Sequence, residues 1–356
     1  MSVNGYAAMS ADLGSLAPHK FDRYAPGDMD VSFDIKYCGI CHTDVHFIKN
    51  DLGFSQYPMV PGHELIGTVT AVGSKVTKFQ VGDNIGVGCM VDSCMDCKFC
   101  KQHEEQYCNT GSTFTYGGVS KYGRCGPAGK PTAGGYSDKM VVNEHFAVKV
   151  PKDVQLDKAA PLLCAGITMY DPIVEHGVKA GTRVGIVGLG GLGMMGIKIA
   201  KAMGAEVTAI STSPNKEAGA KSMGATNFLL STDADAMAKA AKSLDIILDT
   251  VSADHEVMPY ISLLATKGTH VMIGLTAKPL SVAGSALLFG RQSVTGSLIG
   301  GMKRTQEMID FCCSKNIFPD VKVIGASEIK DALMKLEGKN DSLVRYVIDC
   351  GTFKSA

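Results

Sequence analysis

Residues 184–193 read VGIVGLGGLG, an apolar run that passes directly into a glycine-rich turn. Gly188, Gly190 and Gly193 fit the pattern G-x-G-x-x-G, and the apolar residues that follow fall on one face of a helix. The first glycine allows a tight turn, the second lets a pyrophosphate approach the backbone, and the third lets helix and strand pack closely. Gly191 and Leu192 open the helix, whose N-terminus would face the phosphates. The stretch therefore predicts a dinucleotide site.

Strand-like and helix-like segments alternate along the chain around this turn. Strands are expected at residues 182–187, 207–210, 226–230, 245–249 and 269–273, with helices between them. This alternation predicts an α/β domain with a mostly parallel, doubly wound sheet, the Rossmann arrangement, over residues 157–296. Further on, helices are expected near residues 304–314 and 328–336, and a strand near residues 344–348.

The first part of the chain has a different character. From about residue 31 to residue 150, short β-rich runs such as residues 67–72, 82–87 and 137–142 are broken by glycine, proline and charged residues. We expect a β-rich, loop-heavy domain here, formed by residues 1–156 together with residues 297–356.

The composition of the 356-residue chain narrows its possible partners. Lys+Arg and Asp+Glu each number 35, so the net charge is +0, and no basic footprint indicates a nucleic acid partner. No apolar run approaches the roughly 18–20 residues that span a bilayer, and the N-terminal stretch lacks the features of a secretory signal. We expect a cytoplasmic protein with a small-molecule ligand and with no nucleic acid or membrane partner.

Four of the twelve cysteines lie close together, at Cys94, Cys97, Cys100 and Cys108. Disulfides are disfavoured in the cytoplasm, and four thiolates suit a tetrahedral zinc ion that leaves no position for a substrate. Coincidental free thiols and an iron–sulfur cluster are the alternatives, but the usual iron–sulfur spacings differ. The spacing predicts a structural zinc. Because the segment lacks apolar residues for a core of its own, the metal would supply much of its folding energy.

Further candidate ligands are spread over three segments, CGICHTDVH at residues 38–46, GHELIG at residues 62–67 and PLLCAG at residues 161–166. None is decisive alone, because a lone cysteine such as Cys164 is more often a small core residue, and a lone His63 is more often structural. Together they can supply two cysteines and a histidine, which is one of the ligand sets of catalytic zinc.

These segments resemble the zinc-dependent medium-chain dehydrogenase/reductase family, in particular its cinnamyl alcohol dehydrogenase branch and related bacterial aldehyde reductases. The run Gly62-His63-Glu64-x2-Gly67-x5-Gly73 matches the zinc signature of that family, and the four cysteines follow at the expected place. The similarity extends from about residue 37 to residue 348. It implies a GroES-like catalytic domain beside the Rossmann domain, with NADP(H) and two zinc ions per chain, one catalytic and one structural.

The resemblance also implies which residues surround the catalytic zinc. Cys41, His63 and Cys164 would be its ligands, and Glu64 would be a carboxylate able to approach the metal when the fourth ligand changes. Asp44 would hydrogen-bond the far nitrogen of His63 and so fix the tautomer of the imidazole.

Thr43 and His46 would form the proton path of such an enzyme. Zinc would polarise the oxygen of an aldehyde, so that the carbonyl carbon accepts hydride from the nicotinamide. The resulting alkoxide needs a proton, which Thr43 would give and then recover from solvent through the nicotinamide ribose and His46. His42 would lie near the cofactor pyrophosphate.

The choice of cofactor depends on residues 210–216, ISTSPNK, which end the second strand of the nucleotide domain. An NAD site usually has an acidic residue here for the ribose 2′-hydroxyl, and this stretch has none. Hydroxyls of Ser211, Thr212 and Ser213 and the ammonium of Lys216 could instead hold a 2′-phosphate, as the NADP-using relatives do. The plainer alternative makes Ser213 a helix N-cap and Lys216 a solvated charge. We expect NADP rather than NAD.

The resemblance implies an apolar substrate pocket lined by Phe47, Leu52, Phe54, Cys89 and Phe114. Plant members tend to have a tryptophan near the position of Phe114, and this chain has none. We therefore expect broad acceptance of aromatic and medium aliphatic aldehydes. Two alternatives stay open, an NAD-dependent polyol or secondary-alcohol dehydrogenase and a non-catalytic NADPH-binding protein on the same fold. A homodimer joined near residues 269–275 and 292–299 is also implied.

Overall fold

In a computed structural model, which describes residues 1–338 and 344–355, the chain divides into two compact units. One consists of Met1–Cys164 with Gly300–Ala356, and the other of Ala165–Ile299. The division falls after Cys164 and Ile299, whereas we predicted it after residues 156 and 296.

Strands and short helices follow one another along the described residues. The strands are β1 Ser2–Ala8, β2 Leu16–Asp22, β3 Asp30–Gly39, β4 Leu65–Val72, β5 Asn84–Val87, β6 Met90–Asp92, β7 Thr113–Phe114, β8 Lys139–Asn143, β9 Val148–Val150, β10 Arg183–Val187, β11 Glu206–Ser211, β12 Asn227–Leu230, β13 Leu244–Asp249, β14 Leu264–Met272, β15 Ser293–Gly296, β16 Val321–Ile324 and β17 Arg345–Asp349. The helices are α1 His42–Lys49, α2 Lys98–Lys101, α3 Leu156–Ala159, α4 Ala165–Glu175, α5 Gly191–Ala202, α6 Glu217–Ser222, α7 Ala234–Lys239, α8 Met258–Ile261, α9 Gly284–Gly290, α10 Met302–Ser314 and α11 Ile329–Glu337. Within this part of the chain, no helix is both long enough and apolar enough to cross a membrane.

The first unit is built on a seven-stranded sheet in the order β16-β17-β3-β4-β5-β9, with β8 paired to β3. β3 runs antiparallel to β4, β8 and β17, and most of its side chains are buried, Phe33 and Ile35 among them. β3 ends just before Cys41, and β4 begins directly after Glu64. The backbone N–H of Gly39 donates to the carbonyl of Glu64 at 3.0 Å. The pairing of these two strands therefore brings two distant segments of candidate ligands together.

The second unit is a six-stranded parallel sheet in the order β12-β11-β10-β13-β14-β15. The order reverses between β10 and β13, and ligands of such sheets bind at the carboxyl ends of the strands beside that reversal. Val187, Ile210 and Ile247 from three adjacent strands belong to its core. The prediction of an α/β fold with a doubly wound parallel sheet is confirmed.

Two details of this unit differ from the sequence-based expectations. β15 was not predicted, because most of its side chains are exposed and it lacks the apolar alternation of a half-buried strand. Ser213 does occupy the N-cap position before Pro214, but its side chain makes no capping hydrogen bond. The reason is local winding, since residues Pro214–Lys216 form a 3-10 turn and α6 begins only at Glu217.

Candidate active site

Cys41 and Asp44 lie at the start of α1, directly after the central strand of the first unit. Cys41 occupies the N-cap position, and the buried Asp44 carboxylate accepts a hydrogen bond from its backbone N–H at 2.9 Å. An acidic residue in the first helical turn also complements the positive end of the helix dipole. The local sequence thus holds the Cys41 thiol in the interior, where it is buried.

Cys41, His63, Glu64 and Cys164 meet in the interior of the first unit. One ligand atom from each lies within 4.8 Å of the others, and all four residues are buried. The Sγ atoms of Cys41 and Cys164 are 3.9 Å apart. Two sulfur atoms bound tetrahedrally at about 2.3 Å from one zinc ion would be roughly 3.8 Å apart. Both the chemistry of the donors and their spacing therefore fit a zinc ion.

The two cysteines of this cluster influence each other's protonation. The hydrogen bond from Cys164 lowers the pKa of the Cys41 thiol well below its usual range, against the effect of burial, and His63 contributes to the lowering. The same bond, with a second contact to Cys89, raises the pKa of Cys164. Thiolate is the form that binds metal, so the lowered pKa favours the ligand form of Cys41.

His63 is oriented by contacts on its far side. Its Nδ1 lies 3.5 Å from Oδ1 of Asp44. Tyr136 donates to the other carboxylate oxygen of Asp44 at 3.1 Å, and the ring of Tyr116 stacks on the imidazole with centroids 5.7 Å apart. With Nδ1 directed at the carboxylate, Nε2 is the nitrogen left to act as a ligand. The sequence had not indicated either tyrosine.

Glu64 has a buried partner that the sequence did not reveal. Nη2 of Arg345, from the C-terminal strand β17, donates to its Oε1, while its Oε2 is buried with no hydrogen-bond partner. Burial raises the pKa of Glu64 to about 8, although Arg345 acts in the opposite direction. A Cβ atom at position 39 would lie 1.8 Å from Oε2, so Gly39 is required for this approach. This unpartnered oxygen could therefore serve as a metal ligand beside the cysteines.

The residues of the expected proton path lie along one side of α1. The hydroxyl of Thr43 is 3.4 Å from Sγ of Cys41, which places it at the cluster. His46 is part-exposed, and its Nδ1 lies 2.8 Å from Oδ2 of Asp51. The rings of His42 and His46 are 4.9 Å apart. Thr43 therefore sits at the inner end of this series and His46 at the end that solvent can reach, with Asp51 as a partner that had not been anticipated.

Three of the five residues expected to line a substrate pocket form an aromatic cluster. Phe47 contacts Phe54 and Phe114 edge to face, with ring centroids 5.5 and 6.3 Å apart, and it also contacts Tyr116 at 5.0 Å. Since Tyr116 stacks on His63, this cluster extends from the candidate metal ligands. Leu52 is an exposed side chain in the turn that follows α1. The aromatic surface fits an apolar substrate group.

The second group of thiols is separate from the first. One ligand atom from each of its four members, Cys94, Cys97, Cys100 and Cys108, lies within 4.8 Å of the others. Backbone N–H groups donate to three of the sulfur atoms at 3.3 to 3.5 Å. Burial raises the pKa of Cys108, but hydrogen bonds from Thr110 and from the backbone of Cys94 outweigh it and lower that pKa to about 6. Four thiols with such donors fit a tetrahedral metal site closed to substrate.

The glycine turn of the second unit has the geometry that a dinucleotide site needs. Gly188 has a φ of +86°, and a Cβ atom there would lie 2.8 Å from the hydroxyl of Thr250. At Gly193 a Cβ atom would lie 1.9 Å from the carbonyl of Gly188, so the first turn of α5 packs tightly on the strand. At Gly190 nothing lies within 4 Å, which leaves open space where a pyrophosphate would approach.

The residues expected to choose the cofactor lie at the carboxyl end of β11. The backbone N–H of Ser213 donates to the hydroxyl of Ser211 at 3.1 Å. Lys216 reaches back to the glycine turn and donates to the carbonyl of Leu189 at 3.2 Å, so it is not a solvated surface charge. β11 has its acidic residue, Glu206, at the opposite end of the strand. The cation and the hydroxyls therefore stand where an NAD site would have a carboxylate.

Comparison with known proteins agrees with this geometry. Residues 27–152 match the family described as alcohol dehydrogenase GroES-like domain, and residues 191–314 match the family described as zinc-binding dehydrogenase. A probable mannitol dehydrogenase of Fragaria ananassa is 52% identical over 351 residues, which cover 98% of this chain and 95% of that protein.

Two solved structures are also similar over their whole length. A cinnamyl alcohol dehydrogenase of Sorghum bicolor has a TM-score of 0.93 and 43% identity, covering 99% of this chain and 98% of that one. A cinnamyl alcohol dehydrogenase of Helicobacter pylori, in a complex with NADP(H), has a TM-score of 0.91 and 40% identity, covering 99% of both chains. Fold, ligand clusters and whole-chain similarity lead to one conclusion: this chain belongs to the zinc-binding alcohol dehydrogenase family.

Proposed function

We propose that this chain reversibly reduces aldehydes to primary alcohols with NADPH, using a catalytic zinc held by Cys41, His63 and Cys164. The observation that carries the proposal is the buried cluster of two thiols, an imidazole and a carboxylate with ligand atoms within 4.8 Å of one another. Membership of the zinc-binding alcohol dehydrogenase family supports the same interpretation. A second zinc, in the four-cysteine cluster, would be structural.

In this proposal the protein prepares the site and the metal supplies the electrophile. When bound, zinc withdraws electrons from an aldehyde oxygen and makes the carbonyl carbon a better hydride acceptor. Asp44 holds His63 in the tautomer that leaves Nε2 unprotonated, because a carboxylate 3.5 Å away favours the proton on Nδ1. The aromatic residues around Phe47 would exclude water and bind the apolar part of the substrate.

The alcohol product needs a proton, which Thr43 would donate to the alkoxide oxygen from its hydroxyl. His46, at the end of the series that solvent can reach, would return a proton to this site from solvent. Nδ1 of His46 lies 2.8 Å from Oδ2 of Asp51, a contact that holds the imidazole ring in place. A His46→Gln variant should therefore slow turnover, because glutamine cannot take up and release a proton as an imidazole does.

The preference for NADPH would come from Lys216 with Ser211, Thr212 and Ser213. A 2′-phosphate carries a charge that the ammonium group can pair with, and hydroxyls can donate hydrogen bonds to it. The NADP(H) complex of the related Helicobacter pylori protein supports this choice. The stabilisation would be absent for NADH, which has a hydroxyl group at that position.

The substrate class is proposed to be aromatic and medium aliphatic aldehydes, on the strength of the Phe47 cluster and of the relatives named cinnamyl alcohol dehydrogenase. A polyol dehydrogenase is a second candidate, because a relative at 52% identity is named a probable mannitol dehydrogenase. The rates of NADPH oxidation with cinnamaldehyde, benzaldehyde and hexanal, and of NAD⁺ reduction with mannitol, distinguish the two. Faster turnover of mannitol with NAD⁺ would reject the aldehyde reductase and favour the polyol enzyme.

A homodimer formed through the second unit is also proposed. β15 is an edge strand of the parallel sheet, and large apolar side chains are exposed near it, with Leu288 81% and Phe289 93% accessible. Exposed strand edges and apolar patches of this kind are usually covered by a partner. Light scattering should give twice the chain mass, and a Phe289→Glu variant should give the mass of one chain. Separately, we propose that the protein is cytoplasmic.

A further inference from the structure

Residues 121–124 form a short part of the long loop between β7 and β8, and we call them the clasp segment. The segment contains Lys121, Tyr122 and Arg124 but none of the residues expected to bind metal. The structure nevertheless places it against the four-cysteine cluster, on the side of Cys108 and also on the side of Cys100. Each contact passes through one intervening residue to the sulfur atom of a candidate ligand.

The first contact reaches Cys108 through Thr110. The hydroxyl of Thr110 is 3.4 Å from Sγ of Cys108, and it also forms a hydrogen bond with the hydroxyl of Tyr122. A thiolate can only accept, so Thr110 donates to Cys108 when that sulfur binds a metal, and Tyr122 donates to Thr110 in turn. Nζ of Lys121 donates to the carbonyl of Thr110 at 3.0 Å, which fixes the same residue through its backbone.

The second contact reaches Cys100 through Ser93. Oγ of Ser93 is 3.3 Å from Sγ of Cys100, and Arg124 donates from its guanidinium to the carbonyl of Ser93. Nε of Arg124 also donates to Oδ1 of Asp92 at 2.9 Å. The Asp92 carboxylate is fully buried, and its Oδ2 has no hydrogen-bond partner among the described residues. Arg124 therefore compensates a buried charge and holds the backbone of a residue that contacts a candidate ligand.

We propose that Tyr122 and Arg124 are positioning residues of the four-cysteine cluster and that they slow the release of its zinc ion. The inference rests on the structural zinc of the proposed function. Four thiolates outweigh the charge of one zinc ion, so hydrogen bonds donated to the sulfur atoms stabilise the bound state. The clasp segment holds the donors Thr110 and Ser93 in place. Partners of this kind, one step outside the ligands, typically change metal affinity by about 10- to 100-fold.

The rate of zinc release from the folded protein tests this role. Zinc-loaded protein is mixed with an excess of the chelator 4-(2-pyridylazo)resorcinol, whose absorbance records the loss of zinc with time. The same trace for Cys164→Ala, which should lack the catalytic zinc, identifies the phase that belongs to the four-cysteine cluster. In that phase Arg124→Met should release zinc about 10- to 100-fold faster than the wild type. Tyr122→Phe, which removes one hydrogen bond, should release it roughly two- to tenfold faster.

Two controls separate this role from general stability. Phe33→Leu opens a cavity in the core of the same unit and lowers its stability, but it should release this zinc at the wild-type rate. Tyr57→Phe removes a hydroxyl that donates to the carbonyl of Ile48, and it should also leave the rate unchanged.

The possible outcomes have distinct meanings. Wild-type release rates in both Arg124→Met and Tyr122→Phe would overturn the proposal and leave the structural zinc intact. Equal acceleration in Arg124→Met and Phe33→Leu would also overturn it, because general loosening of the unit would explain both rates. A wild-type protein that releases no zinc in the phase of the four-cysteine cluster, and contains none there, would overturn the structural zinc itself.

Discussion

Replacing Arg345 by methionine removes the cation that pairs with the buried carboxylate of Glu64 and puts an apolar side chain of similar length in its place. Glu64 is fully buried, and its Oε2 already lacks a hydrogen-bond partner. The substitution also removes the hydrogen bond that Arg345 donates to Oε1. Removing one partner of a buried ion pair typically costs about 3–5 kcal/mol. We expect a loss of this size in the free energy of unfolding above about pH 8, where the Glu64 carboxyl is ionised.

Urea titration of the zinc-loaded protein measures this loss. The matched control is Arg183→Met, because Arg183 and Asp245 form an ion pair in which both side chains are about 40% exposed. Exposed pairs contribute roughly 0–1 kcal/mol, so the control should be nearly neutral. A double variant, Arg345→Met with Glu64→Gln, should recover more than half of the loss, since it removes the uncompensated charge. A loss for Arg345→Met no larger than that of the control would refute the reasoning.

Three further predictions follow from other parts of the molecule. Cys97→Ser should lower the unfolding temperature and remove one zinc per chain, whereas the control Cys125→Ser should do neither. Retention of both metals in the Cys97→Ser protein would contradict a structural zinc site. Lys216→Ala should lower kcat/KM for NADPH by about ten- to a hundredfold, because a charge-assisted hydrogen bond contributes roughly 1.5–3 kcal/mol. The kcat/KM for NADH should change little. An equal loss for both cofactors would argue against a 2′-phosphate contact. Burial lowers the pKa of His255, but bonds to the Ala253 carbonyl and to Asp249 outweigh it, so that its folded pKa is raised. The stability from this pair is then present below about pH 6.5 and lost as the pH rises through the raised pKa, so the unfolding temperature of His255→Gln should vary less over that range than that of the wild type.

Much of the fold could be predicted because its signals are local. The strand, glycine turn and helix around Gly188 are adjacent in sequence, and the structure shows the steric reason for glycine at positions 188 and 193. The two ligand clusters were also visible, because cysteine and histidine are uncommon residues whose close spacing carries chemical meaning. The assignment of those residues to bound metals is a proposal that the metal measurements test.

The missed features are contacts between segments far apart in the chain. Arg345 meets Glu64 across 281 positions, and a lone arginine in a C-terminal strand gives no sign of its partner. Tyr116 and Tyr136 support His63 and Asp44 from a long, glycine-rich loop region whose path could not be derived from periodicity. Cys89 was expected only as part of a pocket wall, and the contact of its thiol with the carbonyl of Leu163, at 3.8 Å, joins residues 74 positions apart.

The most direct test of the central claim is the zinc content of the purified Cys164→Ala variant beside that of the wild type. Cys164 belongs to the group formed with Cys41, His63 and Glu64, and it is not a member of the four-cysteine cluster. We expect about two zinc atoms per wild-type chain and about one in the variant, together with loss of NADPH-dependent aldehyde reduction. Two zinc atoms and undiminished turnover in the Cys164→Ala protein would contradict the assignment of Cys41, His63 and Cys164 as the catalytic metal site.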